Sequence, residues 1–163
     1  VTAGLLVELP EVGVQASVDL YLDRAPRVCA AILATLESPL ETRTRHVCFD
    51  GQAIYAYLEA FRDAPPIENS TMRPGAGDVM FYRAPANSFT WLHDDSDRLA
   101  PRGVDIEANE LSFIYGKANL VHDLGSAFYG SLVGRFVDGF EEFAQACAAT
   151  LDNGNTALRI SKA

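Results

Sequence analysis

The sequence predicts a mainly β fold, a closed antiparallel barrel with two capping α-helices, on three observations. Val12, Val14, Ala16, Val18, Leu20 and Leu22 alternate with Gly13, Gln15, Ser17, Asp19 and Tyr21, a period of two that buries one face of a long strand. Only two stretches carry apolar residues at helical spacing, one in each half of the chain. Short strand-like segments fill the rest, and closing them on themselves removes the exposed edges an open sheet would leave. At 163 residues the chain is long enough for one continuous core, so 1–163 reads as a single domain.

In chain order, Ala3–Leu9 is the expected partner of the long strand, with Pro10-Glu11 as the turn between them. Asp23 stands where a helix N-cap belongs, and Pro26 falls in the first turn, where a missing N–H costs nothing. Val28, Cys29, Ile32, Leu33 and Leu36 follow at helical spacing until Pro39. Arg43–Phe49 and Gln52–Leu58 read as two strands joined at Asp50-Gly51, a strong hairpin signal.

Ala64-Pro65-Pro66 breaks the chain, and Asp78–Tyr82 and Leu111–Tyr115 are further short strands. The 27 residues from Arg83 to Asn109 are rich in Pro, Asp and Arg and have no period, as expected of a long loop insertion. Gly134–Leu151 places Phe136, Val137, Phe140, Phe143, Ala144 and Cys147 on one helical face, and Asp152-Asn153-Gly154 stops it. Ala157–Lys162 alternates again as a closing strand.

Composition narrows the function classes. Hydrophobic residues at 48% and charged residues at 21% are those of a globular chain. A net charge of −9 repels phosphate and anionic lipid, so neither nucleic acid nor a membrane is an expected partner. No apolar run approaches the roughly 20 residues of a bilayer span, and VTAGLLVEL has neither the charged region nor the cleavage site of a signal peptide. Cys29, Cys48 and Cys147 are scattered, with no CxxC pair, which points to a reducing, cytoplasmic location.

Three segments carry a resemblance. VDLYLDRAPRVCAAIL (Val18–Leu33) resembles the cyclophilin segment in which a strand ends in an acidic residue, then Pro, then a helix. LVGRFVDGFEEF (Leu132–Phe143) resembles the cyclophilin passage that leads from a strand into the second helix. PPIENSTMRPGAGDVMFY, from Pro65 to Tyr82, is more similar to uncharacterised bacterial cyclophilin-like proteins than to the prolyl isomerases proper.

The resemblance implies a cyclophilin-like barrel. Prolyl isomerization in that family uses an Arg with Phe, Gln, Trp and His lining a groove, and RHVCFDGQ offers Arg45, Phe49 and Gln52 as counterparts. The Arg-to-Phe spacing is one residue short, and Trp91 and His93 stand too early and too close together to complete the set.

The chemical motifs are sparse. His93-Asp94-Asp95-Ser96-Asp97 and His122-Asp123 could hold a divalent cation but match no metal-ligand spacing, so no metal or cofactor is expected. Cys48 shares a strand face with His46, yet a thiol flanked by Val47 and Phe49 is better read as buried and inert. Gly75-Ala76-Gly77 is no phosphate loop, because no Lys-Ser/Thr follows and a strand comes next. Asn69-Ser70-Thr71 matches a glycosylation triplet, which has no meaning in a cytoplasmic protein.

Arg45, His46, Glu68 and Asn69 read instead as polar contacts in a groove, with Tyr82 and Tyr115 adding hydroxyls amid apolar walls. Glu68 and Arg45 as plain surface charges are the competing reading. The expected function is binding of a small organic ligand or a peptide in a barrel-side groove. A prolyl isomerase and an oligomeric scaffold are the alternatives, and whether any reaction is catalysed stays open.

Overall fold

Alternation and turn chemistry decide the strands. A computed structural model describes residues 3–47, 51–58, 61, 63–84, 108–117 and 130–163. β1 (Gly4–Leu9) and β2 (Val14–Leu20) form the expected antiparallel hairpin, pairing Leu5 with Val18, Val7 with Ala16 and Leu9 with Val14. Their turn is a 3-10 segment, Pro10–Val12, ended by Gly13 at φ 67°. The turn takes Val12 out of the strand and leaves it 55% exposed, so the alternating run starts later than its pattern suggests.

The first helix, α1 (Pro26–Thr35), buries Val28, Cys29 and Ile32. Asp23 does not cap it: the N-cap position is Ala25, and no local side chain satisfies the first N–H groups. After it come β3 (Leu40–Arg43), β4 (Arg45–His46), β5 (Ala53–Leu58), β6 (Ser70–Thr71), β7 (Asp78–Ala84), β8 (Ala108–Ile114) and β9 (Gly130–Asp138). β7 and β8 therefore reach into the expected 83–109 loop from both sides, and residues 85–107 lie outside the described ones.

The helical face expected from Gly134 divides in two. Residues 130–138 are strand β9, and the second helix, α2, runs Phe140–Asn153 after Gly139 turns the chain at φ 68°. Phe136 keeps its place in the aromatic cluster from the strand side, its ring centroid 4.8 Å from that of Phe143. Val137 points the other way and is 59% exposed. β10 (Ala157–Lys162) spans the residues its alternation predicts.

All the described strands join one sheet in the order β3-β10-β1-β2-β9-β7-β8-β5-β4, with β6 attached to β9. β3 and β4, at the two ends of that order, are separated in sequence by Thr44 alone. The segment pairs with β10 through its first half and with β5 through its second. Thr44 continues the first pairing, donating its N–H to Thr156 O at 2.9 Å while its Oγ1 accepts the Thr156 N–H at 3.0 Å. One piece of chain thus bridges both ends of the sheet, and the result is a mainly β, nearly closed antiparallel barrel with two helices among the described residues.

The core lies inside it, drawing Leu5, Val7, Val18, Ile54, Leu111, Phe113, Val133, Leu158 and Ile160 from the strands and Ile32 and Phe143 from the helices. β2 runs into α1 and the antiparallel β9 runs into α2, so the helices attach at opposite ends of the barrel.

Candidate functional site

The segment AIYAYL in β5 buries Ile54, Ala56 and Leu58 in the core and turns Tyr55 and Tyr57 to the outer face. Arg45 lies directly across from Tyr55, which puts it on that outer face too. Its guanidinium carbon stands 5.4 Å from the Tyr57 ring centroid, within cation–π range. The rings of Tyr55 and Tyr57 meet edge to face at 5.4 Å, and Tyr57 is 42% exposed.

The register carries this face across β8 to β7, placing Glu110 between Tyr57 and Tyr82 and Ser112 between Tyr55 and Met80. Ser112 Oγ donates to Glu110 Oε1 at 2.6 Å. Partial burial and the Glu110 charge raise the Tyr57 phenol above its ordinary value, against the hydrogen bond from Tyr55 and the charge of Arg45. Beside these polar groups, Ala53, Met80, Tyr82 and Ile114 form a second small apolar cluster with Val47 and Leu132, separate from the barrel interior.

His46 goes the other way. It lies across from Ile54, so a period of two points it to the inner face while Arg45 points out. Its Nδ1 sits 2.8 Å from the Val47 carbonyl, which can only accept. The neutral ring therefore carries its proton on Nδ1, and Nε2 accepts from the Tyr115 hydroxyl. The two rings stand edge to face with centroids 5.5 Å apart. Burial raises the Tyr115 phenol, and proximity to Cys147 adds to it.

Glu68 and Asn69 belong to neither cluster, and both make specific internal bonds. The Glu68 carboxylate accepts the backbone N–H groups of Arg27 at 2.9 Å and Val28 at 3.1 Å, and Arg27 Nε at 2.9 Å. These are first-turn positions of α1, so a residue about forty positions downstream supplies the missing cap. Burial alone would raise its carboxyl, but the bonds from Arg27 and Val28 outweigh it and hold the group below its ordinary value. Asn69, at φ 47°, exchanges bonds with β9: its Nδ2 donates to Leu132 O at 2.8 Å and its carbonyl accepts the Leu132 N–H at 3.1 Å.

The glycine turn is closed by its own carboxylate. Asp78 accepts the Gly75 N–H at 2.7 Å and Arg135 Nη1 at 2.9 Å, while Arg135 Nη2 reaches Ala76 O at 3.2 Å.

The structure thus groups Arg45 with Tyr82 on the outer face and His46 with Tyr115 on the inner one. Tyr55, Tyr57, Glu110 and Ser112 complete the outer patch without having been expected there. Their signal was the alternation of AIYAYL together with the hairpin register, which sets Tyr55 opposite Arg45. Cys29 is buried, its thiol pushed up to about 11 by burial and by the Glu68 charge, and burial pushes Cys147 up as well. Cys48, Phe49, Trp91, the acidic run from His93 to Asp97 and His122-Asp123 lie outside the described residues. Among the described residues no group of three His, Cys, Asp or Glu side chains is placed to hold a metal ion, and no helix is long and apolar enough to cross a membrane.

A protein-family model described as "Protein of unknown function (DUF3830)" matches residues 7–162. No curated protein matches. Among solved structures, McbB in complex with tryptophan is similar over 96% of this chain and 44% of its own, at 16% identity and a TM-score of 0.63. The chain therefore spans less than half the length of McbB. The solution structure of the hypothetical protein AF2241 from Archaeoglobus fulgidus is similar over 100% of this chain and 96% of its own, at 19% identity and a TM-score of 0.58. At these identities the likeness is one of fold.

Proposed function

The chain belongs to the DUF3830 family of proteins of unknown function, and from that premise we propose that it is a cyclophilin-like binding protein whose ligand is a small organic molecule or a peptide held on the outer face of β4, β5, β8 and β7. One observation carries the reading: the Arg45 guanidinium lies over the half-exposed ring of Tyr57, with no carboxylate among the described residues in ion-pair range. Such a cation can take a ligand carboxylate or a peptide carbonyl through its planar fork, while Tyr57 and Tyr55 offer ring surface to an apolar body. That McbB has been solved in complex with tryptophan makes aromatic amino acids and their N-acetyl derivatives sensible first probes.

The test is a thermal-shift screen of aromatic carboxylates and short peptides, repeated with Arg45→Ala and Tyr57→Leu. A ligand at 100 times its Kd stabilises the folded state by about 2.7 kcal/mol, and both variants should abolish most of that gain. A ligand whose effect survives both substitutions places its site elsewhere. Prolyl isomerization remains the second reading, favoured by the outward position of Arg45, where a bound amide could receive its hydrogen bonds. A protease-coupled proline-peptide assay at the uncatalysed rate removes it.

A further inference from the structure

β4 is two residues long and, among the described strands, pairs with β5 alone. Backbone bonds on one side fix its register, but a short strand held that way can still twist about its own axis. Its two side chains leave on opposite faces, so such a twist moves Arg45 and His46 together, in opposite directions. The pose of Arg45 is sensitive to it. Its direct neighbour across the sheet is Tyr55, yet the guanidinium leans along β5 to the ring of Tyr57 at 5.4 Å. Arg45 is exposed, and a cation–π contact at an exposed site is too weak to hold that pose unaided.

His46 supplies the missing restraint. Its ring is bonded at both nitrogens: Nδ1 donates to the Val47 carbonyl at 2.8 Å, and Nε2 accepts from the Tyr115 hydroxyl. The first bond locks the ring to the backbone of its own segment. The second reaches past β5, since His46 lies opposite Ile54, Ile54 lies opposite Phe113, and Tyr115 follows just beyond β8. Tyr115 is 6% exposed and belongs to the core cluster, so the far end of the link is anchored in the barrel interior.

We propose that the His46–Tyr115 pair inside the barrel is a tie that fixes the tilt of β4, holds Arg45 over Tyr57 and thereby sets the affinity of the outer face for a ligand carboxylate or carbonyl. The inference rests on the outer-face reading of function and deepens it: His46 and Tyr115 are positioning residues that do not touch the ligand. An untied β4 samples orientations in which the guanidinium leaves the ring, and apparent affinity falls with the fraction of molecules in the competent pose. Position 46 therefore needs an acceptor. A side chain without one releases β4 and leaves the buried Tyr115 hydroxyl unpaired.

The test uses the full chain and first reads the tie without any ligand. The Arg45 Hδ and Nε–H resonances should lie upfield of their positions in Tyr57→Leu, because the ring of Tyr57 shields them. Tyr115→Phe, which keeps the ring and loses the donor, should move them back toward the Tyr57→Leu positions, as should His46→Phe, which loses the acceptor. His46→Gln, whose amide oxygen can accept the same hydroxyl, should restore them. Glu68→Gln, which weakens only the α1 cap, should leave them in place and so separates a lost tie from a general loss of stability. With N-acetyltryptophan as the probe, Tyr115→Phe should bind about two- to fivefold more weakly, the fold-change equivalent to one net hydrogen bond, and His46→Gln should bind as wild type does. Arg45 resonances unmoved by both Tyr115→Phe and His46→Phe overturn the proposal, as do resonances that move equally in Glu68→Gln. Equal probe affinity in wild type and Tyr115→Phe overturns it too. If the resonances respond as expected but N-acetyltryptophan does not bind wild type, the tie is upheld and the loss falls on the ligand reading alone.

Discussion

Replacing Glu68 by Ala removes the acceptor of three hydrogen bonds at the start of α1, two of them from backbone N–H groups that have no local cap. The carboxylate is 11% exposed, so solvent cannot substitute freely for it. Loss of a helix cap typically costs 0.5–2 kcal/mol, and hydrogen bonds to charged groups contribute about 1.5–3 kcal/mol. A loss of about 2–4 kcal/mol is therefore expected for Glu68→Ala, and about half of that for Glu68→Gln, which keeps one acceptor oxygen but no charge. Each kcal/mol lowers the Tm of a domain this size by about 2–4 °C.

The folded-state carboxyl titrates below its ordinary value of 4.5. Its contribution is thus complete above that value and disappears as pH falls through the lowered one. Urea denaturation of wild type, Glu68→Ala and Glu68→Gln at pH 7 and near pH 3 measures both effects, and the gap between wild type and the variants should narrow at the acid end. A Glu68→Ala variant within 0.5 kcal/mol of wild type at pH 7 (about the size of an ordinary surface substitution) would refute the capping role.

Other substitutions separate further contributions. Gly139→Ala should cost about 2–5 kcal/mol, combining left-handed strain with overpacking, because a Cβ there would lie 2.3 Å from Gln15 O. Gly13→Ala, at the same sign of φ but in open space, should cost only about 1–2 kcal/mol by chemical denaturation; equal losses at the two positions would mean that the close approach is irrelevant. In a Cys48→Ser background, Cys29 and Cys147 should resist a thiol-titrating disulfide in the native state and react only in denaturant, since both are buried with raised pKa values. Asp78→Ala should lower stability by about 1–2 kcal/mol, since it frees both the Gly75 N–H and Arg135; Asp78→Asn, which keeps an acceptor for Gly75, should lose less.

What the sequence disclosed follows the range of the interactions. β2 and β10 were legible because a half-buried strand writes its period into adjacent residues, as Ala16, Val18 and Leu20 do. The start of α2 was misread because Phe136, Phe140 and Phe143 are spaced like one helical face. They do pack together, but across a strand-to-helix corner at Gly139. The cap on α1 could not be read locally, since its carboxylate comes from Glu68, and the acidic residue beside the helix, Asp23, was the wrong one. At the candidate site, the opposite facing of Arg45 and His46 follows from strand geometry alone. The neighbours of Arg45 required the register that only the folded sheet supplies.

The segment of residues 40–46 also bears on how the chain emerges from the ribosome. β10 lies between β1 and β3, so the last of the described strands in sequence is the one that fills the gap between the first and third. Until it is synthesised, β1 and β3 each present an unpaired edge, and the seam of the barrel stays open however well the earlier strands have paired. Nascent chains halted before Ala157 should consequently be the species most prone to pairing with one another, and the hazard should vanish once Lys162 clears the exit tunnel.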